Sequence, residues 1–136
     1  MSSLALVPVT SDTDPVWRTV AEGLARINAH EPEPIGVDAL FDLCAQERAF
    51  LFVGRDGEFV VLYPQFDHLF RRRTVLIVAA YSPFGDAVSL HKDAIDRLAR
   101  DIGAESIEFY TTRKGFARVA PSVGYELTHH VYRREL

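Results

Sequence analysis

The chain has 136 residues, 48% hydrophobic and 25% charged, a composition that excludes a disordered, collagen-like or coiled-coil protein. Its length predicts a single domain, 1–136. The longest unbroken apolar run, Val75 to Tyr81, has seven residues, whereas a membrane-spanning helix needs about 20. The N-terminus lacks the basic and apolar regions of a signal peptide, so we expect a cytoplasmic protein that does not contact a membrane.

The charge and the single cysteine narrow the class further. A net charge of −4 argues against a dedicated nucleic-acid binder, because phosphate affinity comes from clustered Lys and Arg. One cysteine cannot form an internal disulfide, which fits a reducing compartment. Cys44 lies in an apolar stretch, and we interpret it as a packed thiol rather than a nucleophile.

The first half begins with a predicted strand and two helices. Residues Leu4 to Val9 form an apolar run, and the proline within it suggests an edge strand. Asp14 and Pro15 are a typical helix start, and an apolar stripe continues the helix to Ile27. A second helix is predicted over Val37–Gln46.

The middle of the chain predicts strands. Two apolar runs, Ala49–Val53 and Glu58–Tyr63, flank an Asp-Gly pair, which is a strong hairpin signal. Residues Pro64–Arg73 are interpreted as a polar loop. The strand Thr74–Tyr81 is the most hydrophobic and is expected inside the sheet.

The rest of the chain alternates helix and strand. An amphipathic helix is predicted over Ala87–Ile102, with Gly103 as its C-cap. A strand at Ser106–Tyr110, a short helix near Lys114–Val119 and a strand at Tyr125–Arg133 follow. The predicted order is therefore β-α-α-β-β-β-α-β-α-β, an α/β (α+β) fold with a mixed central sheet and helices on both faces.

The strand-loop-helix segment Thr74–Ile102 can bind a phosphate group, because a helix N-terminus exposes backbone N–H donors. A plain crossover connection has the same pattern. The five histidines show no helical pair with zinc-ligand spacing, so no metal site is expected. The arginine cluster Arg71–Arg73 is interpreted as a solvated rim.

The element order, the hairpin within Phe50–Val61 and the segment from Gly103 to Leu136 together resemble the GNAT superfamily of N-acetyltransferases. Within that segment, Arg113-Lys114-Gly115-Phe116 and Gly124-Tyr125-Glu126 look like the end of small GNAT-like proteins of tailed bacteriophages. The resemblance implies acetyl-CoA as co-substrate and an amine as acceptor. It also implies acetyl-CoA contacts at Ala79, Ala80, Tyr81, Ser82, Phe84, Gly85, Ala87, Val88, Arg113 and Lys114.

The chain departs from the family in the acetyl-CoA loop and at the family's catalytic tyrosine. No basic residue opens the loop Ser82–Val88, and Asp86 places a carboxylate where the pyrophosphate would lie; the alternative role of Asp86 is a helix N-cap. The family's proton-donating tyrosine corresponds here to Ala120, and neither Tyr110 nor Tyr125 is at the matched position. The catalytic residues are therefore unknown, with Tyr81, Glu58 and Asp67 as candidates.

Two functions follow from these residues. The first is a GNAT-like acetyltransferase that transfers acetyl from acetyl-CoA to an amine. The second is a GNAT-like fold without the chemistry, which serves as a binding or structural protein in a phage virion or as an effector that binds a host protein.

Overall fold

The computed structural model describes residues 3–111 and 115–136. The strands are β1 (Ala5–Val7), β2 (Phe50–Val53), β3 (Phe59–Asp67), β4 (Arg72–Tyr81) and β5 (Ser106–Glu108). The helices are α1 (Pro15–Asn28), α2 (Val37–Ala45), α3 (Ala87–Leu90), α4 (Lys92–Ile102) and α5 (Phe116–Val119), followed by a 3-10 helix over Ala120–Val123.

The five strands form one mixed sheet in the order β1-β2-β3-β4-β5. The first four are antiparallel to their neighbours, whereas β5 runs parallel to β4. Strand β1 lies at an edge, which agrees with the proline that follows it at position 8. The predicted mixed α/β class is confirmed.

Alternate residues of β3 enter two separate cores because successive side chains point to opposite faces. On one face, Phe59 and Val61 pack against α1 and α2. On the other face, Val60 and Leu62 pack against α3 and α4. Both faces are therefore covered, which explains why the central strands are almost continuously apolar.

The expectation of a polar loop at Pro64–Arg73 is wrong. Strand β3 continues to Asp67 and β4 starts at Arg72, so a four-residue turn joins them. The Asp67 side chain accepts hydrogen bonds from the backbone N–H groups of Leu69 and Phe70 at 2.9 and 3.1 Å. Asp commonly forms turns in this way. The tight turn lets residues 64–67 pair with residues 72–75, which the polar composition of the segment does not indicate.

The long helix predicted over Ala87–Ile102 is interrupted at His91, which has φ −106° and ψ 19°. The His91 ring is buried and bonds the Glu58 carboxylate, so a long-range polar contact coincides with the break. Gly103 caps α4 in the left-handed conformation, which confirms its predicted role.

The strand predicted at Tyr125–Arg133 is absent, since the described residues 125–136 lie in no strand. Their alternating apolar side chains have no surface to cover: Leu127 and Val131 are 75% and 78% exposed. The segment instead contacts other parts of the chain through an ion pair between Arg133 and Glu33. The short helix predicted near Lys114–Val119 is present as α5, although Lys114 itself lies outside the described residues.

No helix in the described part of the chain has the length and apolar character needed to cross a bilayer.

Replacing Gly23 with Ala should destabilise the protein. A Cβ there would lie 2.8 Å from Cε1 of Phe59 and 3.0 Å from Cδ2 of Tyr81. Overpacking costs about 1–3 kcal/mol, which exceeds the roughly 1 kcal/mol that Ala gains over Gly in a helix. Urea denaturation should show the loss.

Gly115→Ala is the control, because a Cβ there meets nothing within 4 Å. Its stability should change by less than about 0.5 kcal/mol. Equal stability of Gly23→Ala and wild type would contradict the close packing of α1 on the sheet.

Candidate functional site

Strands β4 and β5 separate soon after they pair. Their ladder has three residue pairs and ends at Leu76 and Glu108. In residues 3–111 and 115–136, no strand pairs with the β5-facing side of β4 from Ile77 to Tyr81. Val78 is an extra residue in β4, since Ile77 pairs with Leu62 and Ala79 with Val61, and such a bulge bends a strand and increases its twist.

The predicted contact residues at the end of β4 face both cores. Ala79 is buried among the residues under α1 and α2, and Ala80 packs on the opposite side. The Tyr81 hydroxyl accepts a hydrogen bond from Arg26 Nη1 at 2.9 Å, and its ring stacks on Phe59. The hydrogen bond to Tyr81 is also the main reason why the pKa of Arg26 is raised.

The loop after β4 is attached to the β2–β3 turn at two points. The Ser82 hydroxyl donates to Oε2 of Glu58 at 2.7 Å and accepts from the Phe84 N–H at 3.1 Å. The Arg55 guanidinium lies 4.3 Å from the centre of the Phe84 ring, a cation–π distance. Gly85 has φ +148°, a conformation that favours glycine.

Asp86 is the N-cap of α3. Its Oδ1 accepts from the Val88 N–H at 3.1 Å, and its Oδ2 accepts from the Ser89 hydroxyl at 3.0 Å. Ala87 and Val88 are buried in the core. Within the described ranges, no hydrogen bond uses the backbone N–H groups of Gly85, Asp86 and Ala87. The loop therefore combines unused donors with a carboxylate.

Glu58 is buried, with 5% of its surface exposed. Burial alone would raise its pKa, but the hydrogen bonds from Ser82 and His91, together with the electrostatic contributions of His91 and Arg55, lower it below the usual value. Its Oε2 already accepts from two donors, at 2.7 and 2.8 Å, so it is not free to take a proton from a substrate. This geometry favours a positioning role for Glu58 over proton abstraction.

Asp67 lies at the opposite end of β3 from Glu58. Strand β3 has nine residues, and at about 3.3 Å per residue the two carboxylates are roughly 25–30 Å apart. They cannot act on one substrate atom. Of the three predicted candidates, the structure brings Glu58 and Tyr81 to the loop end of the sheet, and Asp67 to the turn end.

Two open grooves flank the β3–β4 hairpin. One, of about 440 Å³, is lined by Tyr63, Pro64, Gln65, Phe66, Asp67, Thr74, Glu108 and Tyr110. The other, of about 460 Å³, is lined by Pro64, Gln65, Phe66, Arg73, Thr74, Ile102, Gly103 and Ala104. The loop residues 82–88 line neither groove.

Glu108 is the site residue that the sequence analysis missed. It is the last residue of β5 to pair with β4, it is exposed, and it lines the 440 Å³ groove. The alternation of polar Ser106 and Glu108 with apolar Ile107 places the two polar side chains on one face. The alternation can be recognised in the sequence and predicts which face Glu108 lies on. Only the strand register shows that β4 and β5 separate at Glu108.

Three aromatic rings pack on the α3/α4 side of the sheet, just past β5. Phe109 lies 4.7 Å from Phe116 and 5.1 Å from Tyr125 between ring centres, with edge contacts. Burial, together with the negative charges of Asp96 and Asp86, raises the pKa of Tyr125 to about 12. Burial is the main cause of this shift, and Asp96 and Asp86 contribute less.

The remaining predicted positions give less information. Arg113 and Lys114 lie outside the described residues. No group of three or more His, Cys, Asp or Glu side chains suited to a metal ion occurs among the residues that the structure describes. Cys44 is buried, and burial raises its thiol pKa to about 11, as expected for a packed thiol.

No protein-family model matches this sequence, and no curated protein sequence matches it. The structure is nevertheless similar to solved acetyltransferases. Ribosomal-protein-alanine N-acetyltransferase from Brucella melitensis biovar Abortus 2308 is 16% identical, with a TM-score of 0.69 over 100% of this chain and 99% of the other. An acetyltransferase from Trypanosoma brucei is 15% identical, with a TM-score of 0.62 over 100% of both chains.

An aminoglycoside acetyltransferase from an uncultured soil metagenomic sample, solved with sisomicin, is 12% identical, with a TM-score of 0.62 over 97% of each chain. At these identities the likeness is one of fold. The chain therefore has the fold of the GNAT acetyltransferases over nearly its whole length, as the sequence resemblance predicted.

Glu58→Gln should destabilise the protein at pH 7 by about 1–3 kcal/mol, because the neutral amide accepts the Ser82 and His91 donors less strongly. The folded-state pKa of Glu58 is below its ordinary value of 4.5. Its stabilisation is therefore present above about pH 4.5 and is lost as the pH falls through the folded-state pKa.

The stability difference between wild type and Glu58→Gln should therefore narrow as the pH falls below 4.5, the ordinary pKa of this group. Urea denaturation above and below this pH measures it. A difference that stays constant with pH would contradict an ionised Glu58 in the folded protein.

Proposed function

We propose that this protein is a GNAT-type N-acetyltransferase that transfers acetyl from acetyl-CoA to an amine. The observation that carries the proposal is the separation of β4 from β5 after Leu76 and Glu108, in a fold shared with acetyltransferases over 97–100% of their chains. The exposed backbone edge of β4 offers hydrogen-bonding groups to an extended ligand.

The reaction needs positioning more than a reactive side chain. The neutral amine attacks the thioester carbonyl, a C–N bond forms, and the C–S bond breaks to release CoA thiolate. One proton leaves the amine, and the thiolate takes up one proton. Alignment of two bound reactants can supply much of the rate enhancement, which is compatible with the alanine at position 120.

The acetyl-CoA side of the cleft comprises the end of β4 and the following loop. The unused N–H groups of Gly85, Asp86 and Ala87 are donors for phosphate oxygens. The Asp86 carboxylate opposes an anion at the same place, by about 1 kcal/mol for a solvated pair at 4 Å. Acetyl-CoA binding is therefore expected to be weak rather than absent.

The acceptor side is assigned to the 440 Å³ groove. Glu108 stands at the point where the strands separate, between the groove and the cleft. Its carboxylate can pair with an ammonium group and take up the proton released on attack. Tyr63 and Tyr110 add aromatic faces to the same groove, which suits a cationic acceptor.

Acetyl-CoA binding and the role of Asp86 are tested together by calorimetry. Wild type should bind acetyl-CoA, and Asp86→Asn should tighten the Kd about fivefold, since it removes roughly 1 kcal/mol of repulsion while Asn caps helices as well as Asp does.

Asp93→Asn is the matched control, because this exposed carboxylate lies in the first turn of α4. Its Kd should remain at the wild-type value. If Asp86→Asn binds no more tightly than Asp93→Asn, the phosphate groups do not lie at this loop.

Glu108→Gln should lower kcat for acetyl transfer by about 10²-fold or more, as expected for loss of a general base, with the Kd for acetyl-CoA unchanged. Glu105→Gln is the control, since Glu105 is also exposed and lies just before β5. Release of free thiol from acetyl-CoA in the presence of a polyamine measures the rate. Equal activities of the two variants would remove Glu108 from the acceptor site.

A second candidate is a non-catalytic binding protein with this fold, such as a virion component or an effector that binds a host protein. Asp86 beside the loop donors favours it, because its carboxylate opposes a phosphate there. Absence of acetyl-CoA binding at millimolar concentration, with no rise in melting temperature, would support this candidate over the enzyme.

A further inference from the structure

Ser82, Glu58 and His91 form a polar network in the interior of the protein, directly beneath the loop that follows β4. The Ser82 hydroxyl and His91 Nε2 both approach Oε2 of Glu58, at 2.7 and 2.8 Å. Glu58 and His91 are 5% and 2% exposed. A carboxylate so buried is stable only when donors surround it.

The direction of each hydrogen bond follows from the chemistry. A carboxylate only accepts, so Nε2 of His91 carries the hydrogen. Nδ1 of His91 is buried and has no hydrogen-bond partner in the described residues. Ser82 donates to Glu58 rather than to His91, so the three residues are not arranged as a nucleophile activated by a histidine base.

The network joins three segments that are distant in sequence. Glu58 immediately precedes β3, Ser82 begins the loop, and His91 lies where α3 ends and α4 begins. Gly54 leaves room for the carboxylate, since a Cβ there would lie 3.0 Å from Oε1 of Glu58. The contact therefore fixes the loop relative to both the sheet and the α3/α4 pair.

The network also reaches the loop backbone. The Ser82 oxygen that donates to Glu58 accepts the Phe84 N–H at 3.1 Å. The Glu58 carboxylate thus fixes the orientation of the Ser82 hydroxyl. The same hydroxyl oxygen fixes the position of the Phe84 backbone N–H, two residues later in the loop. The unused N–H groups of Gly85, Asp86 and Ala87 follow directly.

We propose that Glu58 is a positioning residue. It holds Ser82, and through Ser82 the loop backbone, in the conformation that presents these N–H groups to the phosphates of acetyl-CoA. This inference rests on the proposed acetyl-CoA site. A purely structural role predicts a loss of stability alone, whereas a positioning role predicts that removal of the Ser82 hydroxyl changes the loop and the affinity for acetyl-CoA in a protein that still folds.

The test compares Ser82→Ala and Ser82→Thr with wild type. In Ser82→Ala, hydrogen exchange of the Phe84 amide should accelerate about tenfold, as expected when one hydrogen bond is lost. The KM for acetyl-CoA should rise by a similar factor, with kcat little changed. Ser82→Thr keeps the hydroxyl and should restore both values.

Ser122→Ala is the control, because it removes a serine hydroxyl bonded to the Val119 carbonyl outside the network; both readouts should stay at wild-type values. An unchanged hydrogen-exchange rate of the Phe84 amide in Ser82→Ala would contradict the claim that the network orders the loop backbone. Faster exchange with an unchanged KM would overturn the positioning role. If wild type itself fails to bind acetyl-CoA, the proposed function fails, whereas the exchange data still decide whether the network orders the loop.

Discussion

The architecture depends on the pairing of β4, which pairs with β3 along its length except at the Val78 bulge and with β5 along only three residues. Its ladder with β3 runs from Arg72 to Tyr81, whereas the ladder with β5 stops at Leu76. The backbone groups on the open side still need hydrogen-bond partners. The bulge at Val78 and the departure of β5 thus leave an open backbone edge, and the proposed function puts acetyl-CoA there.

Electrostatics determines how strongly the loop after β4 would bind an anionic ligand. The loop presents unused N–H donors, but the carboxylate of Asp86, which accepts from the Val88 N–H, repels an anion bound beside them. The loop is also held firmly, by Ser82 on the buried Glu58 and by Arg55 over Phe84. A pre-formed loop reduces the ordering entropy of binding, so rigidity offsets part of the repulsion from Asp86. The balance of these effects predicts weak but specific binding.

Local patterns in the sequence were sufficient for most of the fold. The Asp14 cap, the Asp56-Gly57 turn and the Gly103 C-cap depend on neighbouring residues, and the structure confirms them. Long-range contacts explain the failures. The break in the helix at His91 accompanies a hydrogen bond to Glu58, 33 residues away. The predicted final strand is missing because apolar residues such as Leu127 and Val131 stay exposed instead of packing against the sheet. Glu108 was missed for the same kind of reason, because only the strand register shows that it lies where β4 and β5 separate.

The central claim is that acetyl-CoA occupies the opening between β4 and β5. The most direct measurement is an amide chemical-shift map of the ¹⁵N-labelled protein titrated with unlabelled acetyl-CoA. The account predicts shifts concentrated at residues 77–81 of β4 and in the loop 82–88, with residues of α2 unaffected. Saturating shifts confined to other surfaces, or no shifts at millimolar acetyl-CoA, would contradict it.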